Sequence, residues 1–382
     1  MLSRGAPRPN TFLLSDSTSR RGYDTTDTYN RLSPKITMYL NGVYYPNWHI
    51  YKQLPPSSLN FDVISHVFYS FAHVKPDGTV YLSDEWADDQ IDVDGTKGCL
   101  RSFAALKQKY SILRVVLSVG GGGAGSEPFA AAASTDETRE RFAATAKALV
   151  NKYNLDGIDI DWEHPSDSHQ GSNYVKLLAA IRSYMPPPKY TLTTALPAGQ
   201  WALQYINLAQ AAYYLDLVNV MTYDFSGPWV PSTEHHAQLF SPQRPHNQHC
   251  TISCNSAIDY FVSHGVPASK LLLGVPAYGR SFLKSKGVGH KYNGHAGEEG
   301  TFLYKDLPRP GSKEFVDDKV GAAFCVGGDG GFVTYDNAQT VRMKAQYVKG
   351  NGLAGMFYWT GTGDKSDAQE SLVFNGYLGM HN

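Results

Sequence analysis

No stretch of this 382-residue chain is an apolar run long enough to cross a bilayer as a helix. The first residues, MLSRGAPRPNTFLLSDSTSRRG, hold no apolar segment longer than Phe12-Leu13-Leu14. A secretory leader needs a continuous apolar core followed by a small-residue cleavage site. The expectation is therefore a cytoplasmic protein without a membrane partner, reaching the outside only by lysis or a non-conventional route. Excess charge is lacking too: 34 Lys and Arg stand against 35 Asp and Glu. That balance supplies no field for nucleic acid. Internal repeats and low-complexity linkers are missing, and a monomer is expected. Cysteine is scarce, with Cys99, Cys250, Cys254 and Cys325 alone. The segment His249-Cys250-Thr251-Ile252-Ser253-Cys254, with His235, His236 and His246 nearby, matches no zinc spacing. Incidental histidines or a local disulfide explain it better, so no metal and no cofactor are expected. The run Gly120 to Gly123 is not followed by the Lys of a phosphate loop.

What the chain has is aromatic side chains, 25 Tyr, 17 Phe and 6 Trp, and a strict alternation of element types. Residues 1–35 read as a disordered polar tail. After Lys35, eight apolar runs follow one another: 38–45, 63–74, 112–121, 155–161, 190–196, 215–223, 271–278 and 352–359. Their Val, Leu and Ile content suits strands buried on both faces. Helical spacing lies between several of them, at 135–153, 172–185, 255–265 (Asn255 as its cap) and 338–352. Eight strands alternating with helices predict an α/β fold, a (β/α)8 TIM barrel. It comprises residues 36–281 and 335–382. Residues 282–334, rich in Gly and charge, read as a small α+β insertion between strands 7 and 8.

The stretch LDGIDIDWEHP, Leu155 to Pro165, places four acids in a strand-like run. Alternate side chains of a strand face opposite ways, about 6–7 Å apart along one face. Asp159, Asp161 and Glu163 share a face, while Ile158, Ile160 and Trp162 share the other. That alternation argues against a solvated acidic loop. In a barrel the acids point inward at the strand's C-terminal end, where barrel enzymes keep their chemistry. Crowded carboxylates at low dielectric raise each other's pKa and retain a proton near neutrality, as a general acid must. Glu163, outermost, is placed to reach substrate, with Asp161 and Asp159 behind it.

These residues resemble the DxxDxDxE signature of glycoside hydrolase family 18, the chitinases. SVGG (118–121) is similar to the family's SxGG, MTYD (221–224) to its MxYD, and VPAYGR (275–280) to the segment before its insertion. FYW (357–359) resembles the end of its eighth strand, and NGVYYPNW (41–48) and FYSFA (68–72) resemble the first two strands of fungal-type members. The resemblance implies hydrolysis of β-1,4-linked N-acetylglucosamine in chitin or chitooligosaccharides. The substrate's 2-acetamido oxygen would attack C1, outside the usual two-carboxylate scheme. It assigns Glu163 as general acid/base, Asp161 as partner of the acetamido N–H, Asp159 as holder of the shared proton, and Tyr223 as donor to the acetamido oxygen. Trp359 would floor the distorted sugar. Tyr44, Phe71, Met221 and Asp224 would line the adjoining sites, and Tyr278 and Arg280 would reach substrate near the insertion. Asp156, of opposite parity, supports the motif. Ser118, Gly120 and Gly121 let the third strand approach the acids closely.

The chain departs from the pattern at Gly122, where many fungal relatives carry an aromatic after SxGG. Weak grip beyond the cut bond and poor transglycosylation are expected from that loss. A short insertion and no evident carbohydrate-binding module favour soluble or nascent chitin. Two other functions share the motif, a non-hydrolytic chitin-binding lectin and an endo-β-N-acetylglucosaminidase acting on N-glycans. The presence of Glu163 speaks against the first; Trp359 and the insertion speak against the second. The resemblance also implies cis peptides at Ser70–Phe71 and Trp359–Thr360.

Overall fold

A computed structural model describes residues 39–243 and 251–382. The expected N-terminal tail lies outside these residues, as do His246, His249 and Cys250. Eight strands form the centre: β1 (Leu40–Pro46), β2 (His66–Val74), β3 (Arg114–Gly120), β4 (Gly157–Asp161), β5 (Thr191–Pro197), β6 (Leu217–Met221), β7 (Leu271–Pro276) and β8 (Gly355–Trp359). Each pairs in parallel with the next, and β8 pairs with β1. The sheet closes, which removes its edges. The predicted eight-stranded barrel is what the chain forms.

The alternation read from β4 has its expected consequence. Ile158, Ile160 and Trp162 join the apolar layer beneath the helices. Inside the barrel a smaller cluster of Tyr44, Phe68, Val116, Leu217, Leu272 and Phe357 fills the core below the acids. The crossover helices cover the outside. Helix Asp136–Lys152 starts at a capping box of Thr135 and Thr138, close to the predicted start. Helix Ser168–Tyr184 begins four residues earlier than its apolar spacing suggested, because the Asp167 carboxylate accepts from the Gln170 N–H. Helix Cys254–Ser263 is capped by Ser253, not by Asn255. Ser253 and Ser256 satisfy each other's backbone N–H, and Asn255 instead donates to Asp259. Helix Cys99–Lys109, absent from the sequence reading, fills the connection before β3. It starts at Gly98 with no side-chain cap, so no start signal marks it.

Between β7 and β8 lies a five-stranded antiparallel sheet of Tyr278–Phe282, Thr301–Leu303, Ser312–Asp317, Ala322–Gly327 and Gly331–Tyr335. One 3₁₀ turn, Tyr304–Asp306, is the helical piece within it. The sheet begins at Tyr278, directly after β7, so Tyr278 and Arg280 sit on its first strand. Where the chain returns to the barrel, Asp336 and Lys344 form an ion pair of 2.5 Å, 1% and 0% exposed.

Candidate active site

The C-terminal ends of the barrel strands open into a cleft of about 830 Å³. The residue types at the floor follow from strand register. β3 and β4 run side by side with Ser118 opposite Asp159 and Gly120 opposite Asp161. A Cβ at Gly120, whose φ is +120°, would lie 2.1 Å from the Asp161 carbonyl oxygen. Only glycine permits that approach. Ser118 is short enough to donate its hydroxyl to Asp159 at 2.7 Å.

Asp159 is fully buried and accepts from three hydroxyls on three other strands: Tyr44 at 2.9 Å, Ser118 at 2.7 Å and Thr193 at 2.6 Å. Asn219 donates to the Tyr44 hydroxyl at 2.9 Å and completes this shell. Burial pushes the Asp159 carboxyl above its ordinary range, against the pull of those donors. Asp161, one step up the strand, is 3% exposed and its Oδ1 has no hydrogen-bond partner. Burial, then the charges of Glu163 and Asp159, drive its proton affinity well up. Glu163 stands at the top, where its side chain reaches the open cleft. Removal from bulk water and the Asp224 charge raise its carboxyl also. The three carboxyls are a coupled set that keeps a proton above the pH at which isolated carboxyls lose theirs.

Tyr223 follows β6 and faces this column. Burial, then the charges of Asp161, Asp224, Glu163 and Asp159, hold its hydroxyl protonated, so it is available as a donor at physiological pH. Asp224, in left-handed backbone at φ 59°, accepts from Tyr278 at 2.6 Å and from the Arg280 fork at 2.7 and 2.6 Å. Burial opposes its charge, yet nearby His236 and the Arg280 guanidinium hold it well below the usual carboxylate range. The acid column and this ionised carboxylate are thus pushed apart in proton affinity, a pattern of acid–base sites.

Aromatic rings wall the cleft. Trp359 stacks on Phe71 with centroids 5.8 Å apart and meets Tyr44 at 5.4 Å. Met221 also lines the floor. Tyr44 lines the cleft too, 1% exposed, with its hydroxyl donating to Asp159. Both expected cis peptides, Ser70–Phe71 and Trp359–Thr360, are present, and a third non-proline cis bond joins Glu163 to His164. Asp156 stands apart at the entry to β4, where it accepts the Val115 N–H at 2.7 Å and pairs with Lys107 at 2.8 Å. It ties β3 to β4 and does not reach the cleft.

Several cleft residues escaped the sequence reading. Trp48, Trp201 and Trp229 line it and are 40%, 67% and 58% exposed. Trp48 and Trp201 follow the C-terminal ends of β1 and β5 by two and four residues, which is the signal that marks them, and Trp229 lies eight residues past β6. Gly199 and Gly227 let the Trp201 and Trp229 rings lie against the backbone, since a Cβ there would meet indole atoms at 2.5 and 2.3 Å. Ser126 accepts the Glu163 N–H at 2.7 Å and donates to the Gly121 carbonyl at 2.9 Å, fixing the backbone that carries Glu163. Gly122 lies against the acid, where a side chain is sterically allowed: a Cβ there would sit in ordinary contact with Glu163 Oε1 at 3.6 Å. His235 bonds Thr334, His236 faces Asp224, and the Cys254 thiol is free, buried against the carbonyls of Thr222 and Ala237. Among the described residues no group of three His, Cys, Asp or Glu is arranged to hold a metal.

Comparison with known proteins adds three findings. Residues 41–364 match the model of Glycosyl hydrolases family 18. "Chitinase 1" of Aphanocladium album is 35% identical over 367 residues, 90% of this chain and 85% of that protein. "Endochitinase 1" of Metarhizium robertsii is 35% identical over 358 residues, 88% and 84% of the two chains. Among solved structures, the group IV chitinase of Ostrinia furnacalis in complex with allosamidin superposes with a TM-score of 0.81 at 26% identity, covering 89% of this chain and 98% of that one. The GH18 chitinase of Cycas revoluta in complex with (GlcNAc)3 gives 0.77 at 27% identity, covering 89% and 99%.

Proposed function

The chain belongs to family 18 of the glycosyl hydrolases, and from that premise we propose that it is a retaining chitinase working by substrate assistance. The observation that carries this reading is the orphaned Oδ1 of Asp161, a buried acceptor beside Glu163 and Tyr223. Buried polar atoms are almost always paired. An acetamido N–H of the substrate is the donor that fits it, and the same group then presents its carbonyl oxygen to the Tyr223 hydroxyl.

The sugar before the scissile bond lies on Trp359, which suits the apolar face of a pyranose ring. With N–H held by Asp161 and the carbonyl oriented by Tyr223, the acetamido oxygen attacks C1. Glu163, kept protonated by its surroundings, gives its proton to the leaving glycosidic oxygen. The positive oxazolinium ion forms over Asp161, whose negative charge stabilises it, while Asp159 takes up the proton that Asp161 gives up. Glu163, now a carboxylate, removes a proton from the entering water. Two displacements at C1 return the original configuration. Asp224, locked by Arg280 and Tyr278, offers a fixed charge to sugar hydroxyls at the cleft wall. On the leaving-group side, Trp201 supplies a stacking face where Gly122 has none.

The test is hydrolysis of chitotetraose by wild type and by Glu163→Gln. Loss of about 10²–10⁴-fold in rate, with chitooligosaccharide binding kept, is the expected result. Binding without cleavage by either protein would replace the enzyme with a lectin. Cleavage of N-glycan cores but not of chitotetraose would replace it with an endo-β-N-acetylglucosaminidase.

A further inference from the structure

We propose that an ion pair between Lys52 and Glu298 obstructs the outer end of the cleft's glycone half, so that the enzyme favours chitin chains engaged by their non-reducing ends. This rests on the chitinase reading. The direction of the cleft follows from the chemistry. Glu163 protonates the leaving oxygen, so the aglycone runs past Glu163 toward Gly122 and Trp201. The glycone therefore runs the other way, past Trp359. There the cleft continues into a second chamber of about 330 Å³, which shares Trp48, Asp224, Tyr278 and Trp359 with the main cleft and has Lys52 and Glu298 in its wall.

Lys52 ends the 3₁₀ turn after β1; Glu298 belongs to the inserted segment, 246 residues further along the chain. Their side chains meet at 3.2 Å, 44% and 81% exposed, so the pair stands at the rim and not in the floor. Both supporting backbones are tied. Gln53, the next residue, adopts left-handed geometry and donates its N–H to Ile50 at 3.0 Å, and His49 bonds Thr362. The Glu298 carbonyl accepts both the N–H and the hydroxyl of Thr301, at 2.9 and 2.7 Å. Two anchored turns, one after β1 and one in the inserted segment, thus approach closely enough for one side-chain pair to join them at the chamber's edge.

A chain whose non-reducing end stops inside the chamber leaves the pair intact. A chain passing through must separate it. An exposed pair contributes little, so it biases the choice without sealing the end. The bias corresponds to about a 2- to 5-fold preference for chain ends.

The experiment measures viscosity loss of a soluble glycol-chitin solution against reducing ends released, with the full chain. Wild type is compared with Lys52→Ala, Glu298→Ala and the double charge swap Lys52→Glu with Glu298→Lys. Each single variant should lose viscosity about 2- to 5-fold faster per bond cut, and the swap should return toward wild type. Roughly 0.5 M salt should move wild type toward the single variants, because rim charges are screened. Equal ratios in wild type and both single variants overturn the proposal, as does a swap that behaves like the single variants. Cleavage of chitotetraose by wild type is read separately. If that fails, the chitinase reading fails whatever the viscosity shows.

Discussion

Thr193→Val probes the acid column from below without touching any group that meets substrate. Thr193 is fully buried and its hydroxyl donates to Asp159 Oδ1 at 2.6 Å. Valine keeps the branched shape and removes the donor. A hydrogen bond to a charged group contributes about 1.5–3 kcal/mol, and Tyr44 and Ser118 remain as donors to the other oxygen, Oδ2. The net loss to the ionised form is then roughly 1–2 kcal/mol, or about one pKa unit at 1.36 kcal/mol each. The sign is fixed by which form loses support. The donor stabilises the carboxylate, so its removal raises proton affinity, and the coupled set of Asp159, Asp161 and Glu163 keeps its proton to higher pH. Glu163 must be protonated to act as the acid, so activity is lost as pH rises through the apparent pKa of the set. The basic limb of the kcat/KM–pH profile should therefore shift upward by about half a unit to one unit. Thr193→Ser, which keeps the hydroxyl, should restore the wild-type limb. A limb that stays in place or moves downward in Thr193→Val, with the protein folded, would refute the electrostatic argument.

Three further outcomes are expected. Ser126→Ala removes the acceptor of the Glu163 N–H and should lower kcat about tenfold, with KM little changed, because a displaced acid acts only in the transition state; an equal change in KM alone would contradict this. Gly122→Trp should increase transglycosylation products at high chitooligosaccharide concentration, and should raise the basic limb further, since its Cβ would lie 3.6 Å from the Glu163 carboxylate and cover it. Identical product profiles in the two proteins would count against the role given to Gly122. Lys344→Met leaves the buried Asp336 carboxyl without its ion-pair partner, and should destabilise the fold by about 3–5 kcal/mol in denaturant unfolding at neutral pH; a loss under about 1 kcal/mol would contradict the importance given to the pair.

What could be read in the sequence was what repeats with a short period. The alternation Ile158, Asp159, Ile160, Asp161, Trp162, Glu163 assigns inside and outside of a strand directly, and the eight apolar runs between helices lead to the closed barrel. Features assembled from distant strands were not legible. Thr193 and Asn219 lie inside ordinary-looking strands, and only the β4–β5 and β5–β6 registers bring them to Asp159. Nothing in the NGVYYPNW stretch signals that the Tyr44 hydroxyl donates to Asp159 from 115 residues away. Ser126 and the Trp201 and Trp229 rings belong to loops, where no period applies and only nearness to a strand end is informative. The helix at Cys99–Lys109 went unread because a glycine start carries no capping signal. Lys52 and Glu298 are unremarkable surface charges until the fold brings two remote turns together.

The central claim is that the substrate's own acetamido group, and no enzyme carboxylate, attacks C1 while Glu163 serves first as acid and then as base. The measurement that tests it most directly is the anomeric form of the reducing end newly formed when chitotetraose is cut, followed by NMR before mutarotation. The account predicts that this new end appears in the β form, over the anomeric mixture carried by the substrate's own reducing end, and that Glu163→Gln forms it about 10²–10⁴-fold more slowly. A new reducing end that first appears in the α form would mean a single inverting displacement and would contradict it.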